Sequence, residues 1–261
     1  MSAALPATFF GWVGFIIGEY SSLLVSGLLS TLEIALLGTA IGFLIGLLVA
    51  ILRTIPIEEG DSAVKKALLR TLRGILNVYI EVFRGTPMMV QAMVIYYGSL
   101  QILGVDMSPI FAGVLIVSVN TGAYMAEIIR GGIISIDAGQ KEAAYSIGMT
   151  HWQSMVHVIL PQAIRNILPS VGNELIVNIK DSSVLNVIGV SELYFMGKSA
   201  AGTYLKYFET YFIIAVIYLI LTFATSRLLA WVERRMDGPA NYTIHGSQSS
   251  SKAAITVKGG E

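Results

Sequence analysis

Cysteine is absent from this 261-residue chain, and charge is scarce: Asp, Glu, Lys and Arg together make up 13%. Soluble domains carry about 25%. Without cysteine there is no disulfide framework, no thiol nucleophile and no cysteine-based metal site. Histidine is almost missing too, with only His151, His157 and His245. His151 and His157 stand six apart, off the spacing that sets two ligands on one helix face, so no metal site is expected. Basic and acidic side chains balance at 17 each. With no basic cluster or aromatic platform, an electrostatic nucleic-acid binder is excluded. No Lys or Arg precedes Arg53, so the first apolar run lacks the basic start of a cleaved signal peptide and is expected to be retained.

What is present is lipid-compatible surface. Hydrophobic residues make up 54% of the chain, and the mean hydropathy is +0.70. Uncharged or nearly uncharged runs cover Ile34–Leu52, Gly85–Val105, Met107–Ala126, Asn166–Ser191 and Thr210–Ser226. A spanning helix needs about 20 mostly apolar residues, which predicts an all-α membrane protein with five transmembrane helices, the first beginning near Ser21. Pro56–Arg73 reads as a short interfacial helix. The expected organisation is an external segment over 1–20, a transmembrane domain over 21–235 and a disordered tail over 236–261.

Basic loops stay cytoplasmic. Arg53, Lys65, Lys66, Arg70, Arg73 and Arg84 follow the first span, Arg130, Lys141 and Arg165 lie around the third loop, and Arg227, Arg234 and Arg235 end the last span. The N-terminus and the Gly104–Ser108 turn carry none, and the Ser191–Glu209 loop only Lys198 and Lys206. The chain is expected to run N-terminus out and C-terminus in.

A polar elbow then faces the cytoplasm. Asp137 with Gln140, and Thr150 with Gln153, have capping-box spacing. Gly148 sits where a helix ends in a left-handed residue, and Pro161 is expected to stop a second short helix. Ala143 and Ala144 leave a shallow surface, and Glu142 gives it a charged edge. A loop packed on its own bundle is the plainer alternative for this stretch.

Glu142, Ala143, Ala144, Gly148, Leu160 and Pro161, with Val158 in place of Ile, resemble the EAA signature of ABC-transporter membrane subunits. Four further blocks resemble the polar-amino-acid permease branch: Tyr79–Pro87, Asn120–Gly131, Leu160–Ala163 and Asn178–Val184. The resemblance runs from about Ser21 to Arg235. It implies a five-helix, type I ABC importer permease with a cytoplasmic coupling helix carrying Glu142, Ala143, Ala144 and Gly148. It also implies a separate ATPase that binds the ATP, an extracytoplasmic amino-acid-binding protein and a second permease subunit, identical or related. The chain itself would be no enzyme and hold no cofactor. Gly197-Lys198-Ser199 imitates the end of a P-loop, but Glu192 stands where that pattern needs glycine.

For the substrate path, Glu174 and Asp181 lie seven residues apart, two turns along one helix face. Charges inside a membrane usually face a cavity or a partner. The pair suits a substrate ammonium, with Ser182, Asn120, Thr121 and Tyr124 adding polar groups. Arg84, or a broken-helix N-terminus near Thr86-Pro87, suits a carboxylate. Each has a structural alternative: Arg84 as an interface anchor, Glu174 as glue to another span, Tyr124 as packing, Lys180 as a neutraliser of Asp181. An ion-coupled secondary amino-acid transporter and a membrane scaffold are the competing classes. The amino acid carried, and homodimer against heterodimer, stay open.

Overall fold

The computed structural model describes residues 5–236 and two short strands, Tyr242–His245 and Ala254–Val257. The first helix, α1 (Phe9–Thr54), has 46 residues. At about 1.5 Å per residue it extends roughly 69 Å, more than twice the ~30 Å hydrocarbon core. It starts well before Ser21 because Thr8 caps it, the hydroxyl accepting from Gly11 N at 3.2 Å. Tyr20 has non-helical backbone angles, so the kink falls where the external segment was expected to end. Trp12 is buried beneath the Lys206 ammonium, 4.9 Å from its ring.

Helix α2 (Ala63–Gly85) is capped by Ser62 and extends past the expected interfacial stretch to the break at Thr86-Pro87. Proline lacks the donor needed to continue a helix, and α3 (Met88–Leu103) begins afresh. It ends at Gly104, which is left-handed. Helix α4 (Pro109–Ile134) follows, with Ser108 as its N-cap.

Glycines at four-residue spacing let α1 and α4 approach closely, the way helices associate where lipid removes the hydrophobic drive. A Cβ on Gly38 would lie 2.4 Å from Val117 Cγ1, one on Gly42 2.8 Å from Thr121 Cβ, and one on Gly46 2.4 Å from Met125 Cβ. The seam is closed at its end by Glu127, which pairs with Arg53 of α1 and, at 2.8 Å, with Arg130 of its own helix.

Helix α5 (Ala138–Ser146) and helix α6 (His151–Ser154) flank Gly148. Pro161 does not end the second helix. A π turn over Met155–Ile159 leads straight into α7 (Leu160–Asp181), which carries Pro161 in its first turn. The Leu160 N–H reaches back to Met155 O, and such a widened turn accommodates a ring that would otherwise clash with the preceding carbonyls. A 3₁₀ segment, Ser182–Ile188, continues to left-handed Gly189.

The stretch expected as a loop over Ser191–Glu209 contains α8 (Leu193–Tyr204), and α9 (Tyr207–Met236) completes the bundle. Gly197 sits inside α8, where a Cβ would meet Ile214 Cδ1 at 2.0 Å. Its place in the P-loop-like tripeptide reflects helix packing and no phosphate cradle.

Among the described residues three helices are long and apolar enough to cross a membrane: α1, α4 and α9. The other two expected spans differ in a physical way. Helix α3 is apolar but only 16 residues long, because the break at Thr86-Pro87 divides its span with α2. Helix α7 carries Glu174, Lys180 and Asp181. The expected disordered tail lies largely outside the described residues. Within it, β1 (Tyr242–His245) pairs antiparallel with β2 (Ala254–Val257), regular structure where β-branched Thr243, Ile244, Ile255, Thr256 and Val257 favour it.

Candidate functional site: a coupling elbow and a polar helix break

The elbow is held by local hydrogen bonds. Asp137 Oδ1 accepts from Gly139 N at 2.7 Å, at the second helical position and not the third. At the other end Gly148, φ +83°, closes a Schellman turn: Gly148 N donates to Tyr145 O at 2.9 Å and Met149 N to Ala144 O at 3.1 Å. Thr150 and Gln153 form a complete capping box, with Thr150 N to Gln153 Oε1 at 2.9 Å and Gln153 N to Thr150 Oγ1 at 3.3 Å.

The surface this leaves is specific. Glu142, Ala143 and Gly148 are exposed, but Ala144 is buried and packs inward. Ile147 and Trp152 are 79% and 60% exposed, so the accessible face is more apolar than the motif residues alone. Behind it a cleft of about 330 Å³ is lined by Thr54, Asp137, Lys141, His151 and Met155, among others. Burial and then the Lys141 charge hold the His151 imidazole below its usual range, opposed by Glu58. In the connection before α2, the Lys65 hydrogen bond lowers Asp61 below the ordinary carboxylate value, helped by the Glu58 backbone.

The expected path residues separate into two groups. Arg84, Tyr124, Glu174 and Asp181 share an open or half-open face. The Arg84 guanidinium lies over the Tyr124 ring, 5.4 Å from its centroid, and Glu174 is within Coulombic reach of both Asp181 and Arg84. Thr121 and Ser182 are instead fully buried. Thr121 Oγ1 joins Asn178 at 3.0 Å, whose amide also donates to Thr39 Oγ1 at 2.8 Å; Ser182 Oγ donates to Ile179 O at 2.9 Å. Through Asn178 the Thr121 hydroxyl joins α4 to α7 and α1, whereas the Ser182 bond stays within its own turn. Asn120 is half-buried and committed to Gln91 Oε1 at 2.8 Å and Phe83 O at 3.3 Å.

Gln91 was not singled out from the sequence, yet it organises the helix break. Its amide donates to Phe83 O, Thr86 O and Thr86 Oγ1 at 2.8–2.9 Å, replacing the donors that Pro87 interrupts. Its signal was a lone glutamine four residues past that proline. Asn178 was likewise missed as the centre of the Thr39–Thr121 network. No cluster of three or more His, Cys, Asp or Glu residues able to hold a metal occurs among the described residues.

Residues 62–238 match the family described as binding-protein-dependent transport system inner membrane component. The glutamine transport system permease protein GlnP of Escherichia coli (strain K12) is 40% identical over 215 residues, 82% of this chain and 93% of that protein. The arginine transport system permease protein ArtQ of Bacillus subtilis (strain 168) is 35% identical over 213 residues, 82% of this chain and 92% of that protein. The crystal structure of an amino acid ABC transporter with histidines superposes with a TM-score of 0.75 at 41% identity, covering 88% of this chain and 99% of that one. An inward-facing MetNI methionine ABC transporter shares the fold at a TM-score of 0.69 and 23% identity. This chain therefore belongs to the binding-protein-dependent transport system inner membrane components: it is a multi-pass permease subunit of an inner-membrane ABC importer, works with a separate ATPase and is not itself catalytic.

Proposed function

We propose that this permease carries polar amino acids, with Glu142, Ala143 and the Gly148 turn docking on the ATPase. The observation that carries the substrate class is the convergence of Arg84, Tyr124, Glu174 and Asp181 beside the helix break. Two carboxylates suit an ammonium group. A guanidinium and the N-terminus of α3, unblocked at Pro87, suit a carboxylate. Relatives named for glutamine and arginine, and a structure named for histidines, fit a site built for the amino-acid backbone with a polar side chain.

In this reading ATP-driven closure of the ATPases displaces α5. The displacement passes into α7 through the Gly148 turn and alters the face carrying Glu174 and Asp181. A second permease subunit covers that face, an extracytoplasmic binding protein delivers the amino acid, and the N-terminus lies outside with the C-terminus in the cytoplasm. Basic residues concentrated at the α1–α2 connection, the elbow and the end of α9 support that orientation.

The test is reconstitution of the purified chain with its co-purifying ATPase and binding protein, followed by uptake of glutamine, arginine and histidine. ATP-dependent uptake of at least one is expected, and Asp181→Ala should impair it without releasing the ATPase. Uptake on an ion gradient with no ATPase would overturn the reading in favour of a secondary transporter.

A further inference from the structure

Glu192 is fully buried, has no role in the path described above and, among the described residues, pairs with no cation. A carboxylate so placed must be held by donors, and three converge on it. Oε1 accepts from Phe195 N at 2.7 Å; Oε2 accepts from Tyr194 N at 3.0 Å and from the Tyr218 phenol at 2.8 Å. The first two bonds cap α8. The third fastens α9 to the same point. Beside them, Leu193 N donates to Thr31 Oγ1 of α1 at 3.2 Å. Gly27 of α1 lies so close that a Cβ there would come within 2.9 Å of Leu193 Cα.

Helix α9, fastened at Tyr218 by Glu192, packs along α7, which ends at Asp181. Ser182 is buried at the start of the 3₁₀ segment, immediately after Asp181. On its outer side Tyr218 forms the wall of a cleft of about 340 Å³ shared with Lys180, Ser183, Tyr194 and Tyr211. Tyr218 thus bonds the buried carboxylate with its hydroxyl and lines one cleft with the turn that ends α7.

We propose that Glu192, acting through the Tyr218 hydroxyl, is a positioning residue for the Lys180–Ser183 turn and so fixes where Asp181 stands. The inference rests on the reading of Asp181 as a path residue. Three donors lock the carboxylate, the carboxylate locks the phenol, and the phenol supports the turn from behind. Tyr218→Phe removes the support and leaves the α8 cap intact. Glu192→Gln is the conservative variant, because its single oxygen can serve Tyr194 and Tyr218 together at the loss of the Phe195 bond.

The experiment uses the permease–ATPase complex in nanodiscs, measuring equilibrium binding of radiolabelled glutamine, arginine and histidine without binding protein. Tyr218→Phe should weaken the binding of whichever amino acid the wild type holds by at least fivefold, with ATP hydrolysis unchanged. Glu192→Gln should stay within twofold. Tyr218→Phe within twofold of wild type overturns the inference. Because the chain has no cysteine, a nitroxide on Ser183→Cys reports the turn directly. Tyr218→Phe should mobilise the label, and an unchanged spectrum overturns the inference even if the variant is less stable. Asp181→Asn separates the two readings: intact binding there sinks the path assignment, whereas impaired binding there with a silent Tyr218→Phe sinks the positioning role alone.

Discussion

Tyr145 Oη and His151 Nδ1 meet at 3.1 Å across the Gly148 turn. The bond joins the end of α5 to the start of α6, so the two arms of the elbow hold a fixed angle. Lys141 reinforces it from the same helix, its ammonium 5.7 Å from the centre of the Tyr145 ring.

That pair gives the elbow an acid limit. Burial and Lys141 keep the folded-state pKa of His151 below the ordinary value of about 6.5, so on acidification the unfolded chain binds its proton first. The stability from the neutral ring is full above that value and is lost as pH falls below it and through the lower folded-state pKa. Thermal midpoints measured from pH 8 to pH 5 should drop more for wild type than for His151→Asn. Parallel profiles would remove His151 from the acid response.

Gly148→Ala tests backbone conformation without crowding, since nothing lies within 4 Å of a Cβ placed there. Its φ of +83° makes an L-residue cost about 1–2 kcal/mol. If this strain falls on the docked elbow, ATPase affinity should weaken roughly 5- to 30-fold, as read by titration of the ATPase onto the permease in nanodiscs. Gly74→Ala, equally uncrowded but mid-helix, should leave it unchanged. Equal affinities for both would show that the turn tolerates other geometries.

Gly46→Leu should loosen the α1–α4 seam. The new Cβ would lie 2.4 Å from Met125 Cβ and 2.8 Å from Ala126 N, and overpacking of this kind costs about 1–3 kcal/mol. Gly14→Leu, where a Cβ meets nothing within 4 Å, is the control. A thermal midpoint in detergent as high for Gly46→Leu as for the control would contradict the close approach.

Asn178→Leu keeps bulk but strands the hydroxyls of Thr39 and Thr121, both buried. Leaving buried partners unpaired costs about 1–3 kcal/mol. The expected result is a lower thermal midpoint at unaltered amino-acid selectivity. A change in selectivity with normal stability would place Asn178 in the path instead of behind it.

Much of this architecture was legible in the chain, for reasons that differ by element. The left-handed Gly148 and the Thr150–Gln153 box follow from local rules acting over a few residues, and both formed as read. Apolar runs located the cores of α1, α4 and α9, because lipid imposes length and composition together. Helix α8 was hidden inside a nominal loop, since its cap is the carboxylate of Glu192, a residue not usually read as a helix start. Pro161 misled because a π turn, formed by a longer-range backbone bond, absorbs its ring. Thr121 and Ser182 were proposed for the path from helix position alone, and their burial was not legible there. Which side of a helix is buried is set by partners distant in sequence, here Thr39 and Asn178 for Thr121, and the packed turn for Ser182.

The unbroken run from His151 to Asp181 has a mechanical consequence. Thirty-one residues at about 1.5 Å each make a rod of roughly 46 Å, with one end at the elbow and the other at the carboxylate of Asp181. A stiff rod transmits twist and axial thrust with little loss along its length, except where its hydrogen-bond ladder is widened or interrupted. Those places are the π turn at Met155–Ile159, one turn above the elbow, and Pro169 inside α7, which lacks the donor for one rung. In the proposed coupling, compliance at these two points makes the run a torsional spring between cytoplasmic thrust and intramembrane rotation, so its stiffness would set how much of each stroke reaches Asp181.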